Sequence, residues 1–235
     1  DVYRWVADIR HMTEVTPEHL LDDGYLKHRA SLISRERATD FKHGMPPSGG
    51  TIYLSAADES GMMISFIQSN YMGFGSGVVA PEIGVSLQNR GHGFVLDPAH
   101  PNCVAPGKRP FQTIIPAFLM KDGKPQMSFG VMGGNMQPQG HMQTLSRILD
   151  AKQHPQAACD APRWKVHKGL TVDIEDTMEP AVVDALRARG HSVQKVTDPY
   201  MDFGSGQFIW RLTDDMEDGY VAASDSRRDG AAVGY

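Results

Sequence analysis

The stretch SGGTIYLSAADESG, residues 48 to 61, sets Gly49 and Gly50 directly before Thr51, where an alternating strand opens. A threonine hydroxyl is a weak nucleophile until a base stands beside it. The nearest base available to Thr51 is its own α-amine, which exists only after the Gly50–Thr51 peptide bond is broken. With an α-amino pKa near ~8, that amine would be partly neutral at physiological pH and able to take the hydroxyl proton. Cleavage between Gly50 and Thr51 would therefore make nucleophile and base in one step. Taken alone, Gly-Gly-Thr before a strand also reads as an ordinary loop.

Other candidate groups say less. His92 and His100 could be metal ligands, but they sit in a stretch rich in glycine and proline with no further ligands at diagnostic spacing, so no metal and no cofactor are expected. Cys103 and Cys159 are the two cysteines, without metal spacing or a disulfide framework, and read as structural thiols. The 13 methionines are scattered and read as core filler.

The elements around Thr51 must bring partners to it. Ile52, Leu54 and Ala56 alternate with Tyr53, Ser55 and Ala57, Asp58-Glu59-Ser60-Gly61 makes a turn, and 62–68 runs back, which predicts a hairpin. A four-residue loop sets Thr51 opposite Gln68 and a five-residue loop sets it opposite Ser69. Either register brings the Ser69 hydroxyl near Thr51, because directly paired side chains lie about 5 Å apart. Two helices are expected over the first 37 residues, one on the spacing of residues 2–12 and one from the Thr16-Pro17-Glu18 start. From Ala38 to Gly50 the chain is polar, then rich in proline and glycine, and predicts an exposed, mobile connection suited to being cut. Further strands are expected at 83–88, 114–121, 125–130, 170–174, 208–212 and 220–223. Helices are expected near 137–152, 155–160 and 180–189. Strands with helices to one side predict an α+β or layered architecture.

Composition excludes several classes. The 235 residues are 40% hydrophobic and 22% charged, ordinary globular usage. A formal net charge of -5 with no long Lys/Arg run offers no footprint for nucleic acid. No apolar stretch approaches the roughly 18 residues of a membrane span, so no membrane partner is expected and the chain reads as soluble. It begins Asp1-Val2-Tyr3, which suggests the C-terminal part of a longer product. The compartment stays open, with the cytoplasm favoured over the periplasm.

A series of motifs narrows the function. NYMGFGSGVV (70–79), LQNRGHGFVLDP (87–98), PGKRPFQTIIPAFLMKDGKP (106–125), SFGVMGGNMQPQGHMQ (128–143), DAPRW (160–164) and AASDSRRDGAAVGY (222–235) follow Thr51 in that order. Together they resemble the γ-glutamyltransferase family, and the resemblance covers the whole chain. It implies an N-terminal-nucleophile hydrolase, a four-layer αββα sandwich whose precursor cuts itself before the catalytic threonine. Residues 1–50 then resemble the tail of a large subunit and 51–235 a small catalytic subunit. Large and small subunits would come from one precursor, and a dimer of such heterodimers stands as an assembly to be tested. By position, Thr51 matches the family's nucleophile. Ser69 stands where the family has a threonine that supports it, and Gly133 and Gly134 match the pair whose backbone amides form the oxyanion hole. Glycine suits that role because it allows close backbone approach; a plain turn between strand and helix is the other reading.

The departures concern substrate. An aspartate that grips an α-amine in true γ-glutamyltransferases is Gly93 here, and a serine pair that holds a carboxylate is Gln112 and Thr113. Arg90 replaces a usual glutamine and Tyr71 a usual asparagine, with Asn89 beside Arg90. The substrate-binding candidates implied are Arg90, Tyr71, Asn89, Gln112 and Thr113. A guanidinium binds carboxylates through paired hydrogen bonds, so Arg90 points to an acidic substrate without an α-amine; a structural salt bridge or carbonyl clamp is the alternative. IQSNYMGFGSG and LQNRGHGF are most similar to the divergent branch that includes oxamate amidohydrolase and cephalosporin-acylase-like proteins. The expected activity is hydrolysis of a small carboxylate-bearing amide through an acyl-enzyme on Thr51. A γ-glutamyl hydrolase or transpeptidase acting on glutathione, and an unprocessed non-catalytic binding protein, remain open. His141 and Gln143 are expected on a helix surface, or at the pocket mouth. Asp97, Lys108 and Arg109 are expected to fix loops by charge-assisted hydrogen bonds.

Overall fold

The computed structural model describes residues 1–40, 51–197 and 203–235. The core of the expected processing linker, residues 41–50 with Gly50, lies outside the described residues. The first 37 residues hold shorter pieces than the two helices expected: α1 (Val2–Trp5), a 3-10 turn at Ile9–His11, α2 (Pro17–Leu20) and α3 (Asp23–Ser31). Successive caps divide them. Asp8 accepts from Arg10 N, Thr16 closes a capping box with His19, and Asp22 accepts from Tyr25 N to start a new helix.

Strands β1 (Thr51–Ala57) and β2 (Met63–Ser69) form the predicted hairpin, in the five-residue-loop register that pairs Thr51 with Ser69. A small ribbon follows, β3 (Val79–Ala80) with β4 (Val85–Ser86), shorter than the strand expected at 83–88. Next come β5 (Ala117–Lys121) and β6 (Lys124–Met132). β5 starts three residues later than expected, just past Pro116, which has no N–H to give to a ladder. Helix α4 (Gln137–Leu145) runs into a π turn at Ser146–Asp150, and α5 (Pro155–Asp160) follows.

The last elements are β7 (Trp164–Lys168), β8 (Thr171–Glu175), α6 (Pro180–Ala188), β9 (Ser192–Val196), β10 (Ser205–Arg211) and β11 (Tyr220–Ser224). β7 and β9, like the two-residue β3, are additional to the strands expected. Both are five residues long, carry lysines and have largely exposed side chains, so they present little of the apolar alternation by which a strand is read.

The principal sheet has the order β11-β10-β6-β5 and is antiparallel throughout; β7-β8-β9 forms a second sheet, with α6 crossing between parallel β8 and β9. Alternation along β6 fixes the layers. Met127, Phe129 and Val131 point to one face and form the main core with Phe208, Ala223, Ile148 and the α5 residues Ala158 and Cys159. Ser128 and Gly130 point to the other face, toward the hairpin. Ser128 Oγ lies 2.8 Å from Ser55 Oγ, and a methyl added at Gly130 would come within 2.5 Å of the Tyr53 ring. The described chain is thus α+β, two stacked β layers with helices on one side.

Candidate active site

Thr51 and Ser69 face each other across the open end of the hairpin, and Thr51 Oγ1 donates to Ser69 Oγ at 2.9 Å. The hairpin is pinned to β6 by a cluster of hydroxyls. Tyr53 OH lies 2.8 Å from Ser55 Oγ and 2.7 Å from Ser65 Oγ, and Ser128 Oγ donates to the Ile64 carbonyl at 2.7 Å. Between the layers β1 ascends as β6 descends, since Tyr53 lies on Gly130 and Ser55 on Ser128. Continuing that progression back along β1 brings Thr51 to the Met132 end of β6, where Gly133 and Gly134 follow.

Ser69 is a convergence point. Its Oγ also accepts from Tyr71 N at 2.9 Å and from Arg90 NH2 at 3.2 Å. Tyr71 reaches this geometry with φ 75, a left-handed conformation that is uncommon outside glycine. Asn89 holds that turn, accepting from Met72 N at 3.0 Å while its amide nitrogen donates to the Met72 carbonyl at 3.3 Å. Arg90 is 2% exposed. Its NH1 donates to Thr113 Oγ1 at 2.6 Å and its guanidinium carbon lies 4.9 Å from the Tyr71 ring centroid, a cation–π contact. Burial draws the guanidinium below its usual pKa, with Tyr71 opposing; no carboxylate among the described residues pairs with it. The sequence-predicted Thr51, Ser69, Tyr71, Asn89, Arg90 and Thr113 are therefore brought into one contiguous network.

Gly133 and Gly134 form the turn from β6 into a 3-10 turn ahead of α4, with φ 132 and φ 56. Both torsions fall where glycine is favoured. A methyl at Gly133 would approach Gly204 Cα to 2.9 Å, so residue 204 backs the turn. Gly204 is itself held, because Arg163 NH1 donates to the carbonyls of Phe203 at 3.0 Å and Gly204 at 3.1 Å. Arg163 is paired with Asp225 at 2.6 Å, and Asp225 also accepts from Gly206 N and Arg227, which in turn binds Glu175. Burial pushes the Asp225 carboxyl up, but Arg163, Arg227 and the two backbone N–H groups outweigh it and hold the group below its usual value. This buried network ties the motifs at 160–164 and 225–227 to the back of the glycine turn. That these two motifs meet is not legible from their positions in the sequence.

Gln112 and Thr113 line a cavity of about 590 Å³ with Phe111, Gly134, Asn135 and Trp164. Gln112 is exposed there, and Thr113 links the cavity to Arg90. His141 and Gln143, expected on a helix surface, are buried instead. His141 Nε2 accepts from Val131 N at 2.9 Å, and Gln143 bridges to the Trp164 backbone through both ends of its amide. Burial, reinforced by the Arg163 charge, pulls the His141 imidazole down to about 4. Asp97 accepts from Ala99 N, Lys108 donates to the Pro101 carbonyl, and Arg109 N donates to Asp8; the Asp97 and Lys108 side chains act within their loop, whereas Arg109 contributes its backbone. Among the described residues no cluster of three or more His, Cys, Asp or Glu side chains is placed to hold a metal, and no helix is long and apolar enough to cross a membrane.

The family model described as gamma-glutamyltranspeptidase matches residues 1–235. The chain belongs to the γ-glutamyltranspeptidase family. Within that family it is 38% identical to the glutathione hydrolase-like YwrD proenzyme of Bacillus subtilis, over 94% of this chain and 42% of that protein. It is 37% identical to the oxamate amidohydrolase proenzyme of Klebsiella pneumoniae, over 98% of this chain and 44% of that protein. The crystal structure of a cephalosporin acylase from Bacillus halodurans superposes with a TM-score of 0.87 at 46% identity, covering 99% of this chain and 42% of that one. These relatives lie in the divergent branch of the family, and the fold is that of the N-terminal-nucleophile hydrolases. The chain spans about two-fifths of the length of these relatives.

Proposed function

We propose that this γ-glutamyltranspeptidase-family chain is the catalytic part of a self-processing amidohydrolase, cut between Gly50 and Thr51, with Thr51 as nucleophile. The observation that carries the reading is the Thr51–Ser69 hydrogen bond at 2.9 Å, at the end of the hairpin that the β1-on-β6 stacking directs toward the Met132 end of β6. In this scheme the freed Thr51 amine takes the hydroxyl proton as Oγ1 attacks the substrate amide carbon. The N–H groups of Gly133 and Gly134 receive the developing oxyanion, a donor of this kind being worth about 3 kcal/mol of barrier. The proton passes to the leaving amine, the C–N bond breaks, and water then cleaves the acyl ester on Thr51. The remainder of a longer precursor would serve as large subunit, with residues 1–50 its tail and 51–235 the small subunit.

A small amide carrying a carboxylate, of the oxamate type, is the substrate class we favour. The Arg90 guanidinium, buried and without a carboxylate partner among the described residues, gives the site a positive charge, and Gly93 offers no anion to an α-amine. The similarity to an oxamate amidohydrolase supports the same choice. Glutathione hydrolysis is the second reading, favoured by the similarity to a glutathione hydrolase-like protein.

The test is ammonia or amine release from oxamate, glutamine, glutathione and an acyl β-lactam by the full-length protein and its Thr51→Ala variant. Oxamate turnover is expected, with Thr51→Ala uncut and slower by on the order of 10⁴-fold or more. Glutathione turnover with oxamate inert would reverse the substrate order, and a fully active Thr51→Ala protein would refute the nucleophile.

A further inference from the structure

Arg90 stands two hydrogen bonds from the Thr51 hydroxyl, through Ser69. A cation buried to 2% exposure is costly unless an anion or a function compensates it, and no carboxylate among the described residues contacts this one. Its orientation is fixed on three sides by Thr113 Oγ1, Ser69 Oγ and the Tyr71 ring. Held this way, it is committed to the Thr51–Ser69 pair before any substrate arrives.

We propose that Arg90 is an electrostatic positioning residue for the nucleophile: through Ser69 it fixes the acceptor of the Thr51 hydroxyl and, once the chain is cut, keeps the Thr51 α-amine uncharged near neutral pH. This rests on the reading of Thr51 as a processed nucleophile. A positive charge disfavours protonation of a nearby amine, so it lowers the amine's proton affinity and widens the pH range in which the base is competent. A glutamine at this position could hold Ser69 but would lack that effect.

Arg90 is the charged side chain that the hydrogen bonds of Ser69 link to Thr51. Apart from Tyr53, whose hydroxyl is engaged by Ser55 and Ser65, β1 and β2 carry no ionisable side chain. β6 and β10 place Lys124 and Arg211 at the end remote from Met132 and Ser205. The 70–93 stretch adds Tyr71 against the guanidinium, His92 with its ring 6.5 Å from that of Tyr71, and Glu82, exposed on the turn between β3 and β4. Behind the sheet, His141 faces Val131, and Arg163 is neutralised by Asp225.

The experiment is the pH profile of kcat at saturating substrate for the full-length protein, Arg90→Gln and Arg90→Lys, after intact-mass analysis of each. Saturation removes any effect of a lost substrate anchor. In Arg90→Gln the acid limb should move up by roughly one to two units, so that turnover is depressed near pH 7 and recovers toward pH 9. Arg90→Lys retains the charge and should keep the limb near its original place, with a smaller kcat because the guanidinium's simultaneous hold on Thr113 and Ser69 is lost. An unmoved limb in a cleaved Arg90→Gln enzyme, whether KM changes or not, overturns the proposal while leaving the nucleophile reading intact. An active wild-type protein that is never cut after Gly50 refutes the nucleophile reading itself, and this proposal with it.

Discussion

At the residue scale, His141 shows how a polar side chain supports the site from behind. Its Nε2 accepts from Val131 N, two residues before Gly133, and burial holds its pKa at about 4. The unfolded imidazole titrates near its ordinary 6.5, so between these values the unfolded chain binds the extra proton and the folded chain does not. Stability is therefore full above about pH 6.5 and is lost as pH falls toward 4, by about 3 kcal/mol over the whole window. Urea melts at stepped pH should show this slope, and His141→Gln, which keeps an acceptor without a titration, should flatten it. An unchanged slope in the variant would assign the acid sensitivity elsewhere. The Thr51–Ser69 pairing was legible in the sequence because loop length sets hairpin register, and a period of two then decides which hydroxyls share a face. The burial of His141 and Gln143 was not legible, since α4 is polar on both faces and the backbone atoms that bond these two side chains, at Val131 and Trp164, are distant in sequence. Arg90 was recognised by type, but a glycine-rich stretch gives no signal that its guanidinium lies inside.

Two contacts matter most at the scale of elements. The first is the seam between β1 and β6, where Gly130 leaves room for the Tyr53 ring. Gly130→Ala should cost about 1–3 kcal/mol through overpacking and, by displacing β1, lower kcat as well; chemical denaturation and steady-state kinetics check both effects. The second is the buried set Arg163, Asp225, Arg227 and Glu175 behind Gly204. Asp225→Ala leaves the buried Arg163 guanidinium without its carboxylate and takes one of two carboxylates from Arg227, so a loss of about 3–5 kcal/mol is expected in denaturant melts. A change below about 1 kcal/mol would show that water reaches the network. Strands β6, β10 and β11 were readable from their apolar runs, and α6 from its amphipathic spacing. β7 and β9 were missed because tertiary pairing with β8, rather than their own pattern, makes them strands. The N-terminal helices were drawn too long because the caps at Asp8 and Asp22 compete with continuing the helix.

At the scale of the whole molecule, the hairpin has an apolar outer face. Ile52 is 69% exposed, and Leu54, Ile64 and Phe66 are each more than 40% exposed, whereas their strand neighbours face β6. In the proposed precursor the remaining subunit covers this face, completing a four-layer sandwich of which the described residues supply two β layers and one α layer. Hydrogen exchange should then find the β1–β2 amides better protected in the full-length protein than in residues 1–235 alone, and equal protection would leave the face without a partner. The family and layer type were legible from ordered motifs, whereas the exposure of Ile52, Leu54, Ile64 and Phe66 was not, because strand alternation alone does not say which face of the hairpin is covered. The state of one bond, Gly50–Thr51, decides whether Thr51 has a base. Denaturing intact-mass analysis of the purified full-length protein should yield two pieces separated between Gly50 and Thr51, with Thr51→Ala remaining whole. A single uncut chain that turns over amides at the full rate would rule out Thr51 as a processed nucleophile, since no free α-amine would exist to serve as the base.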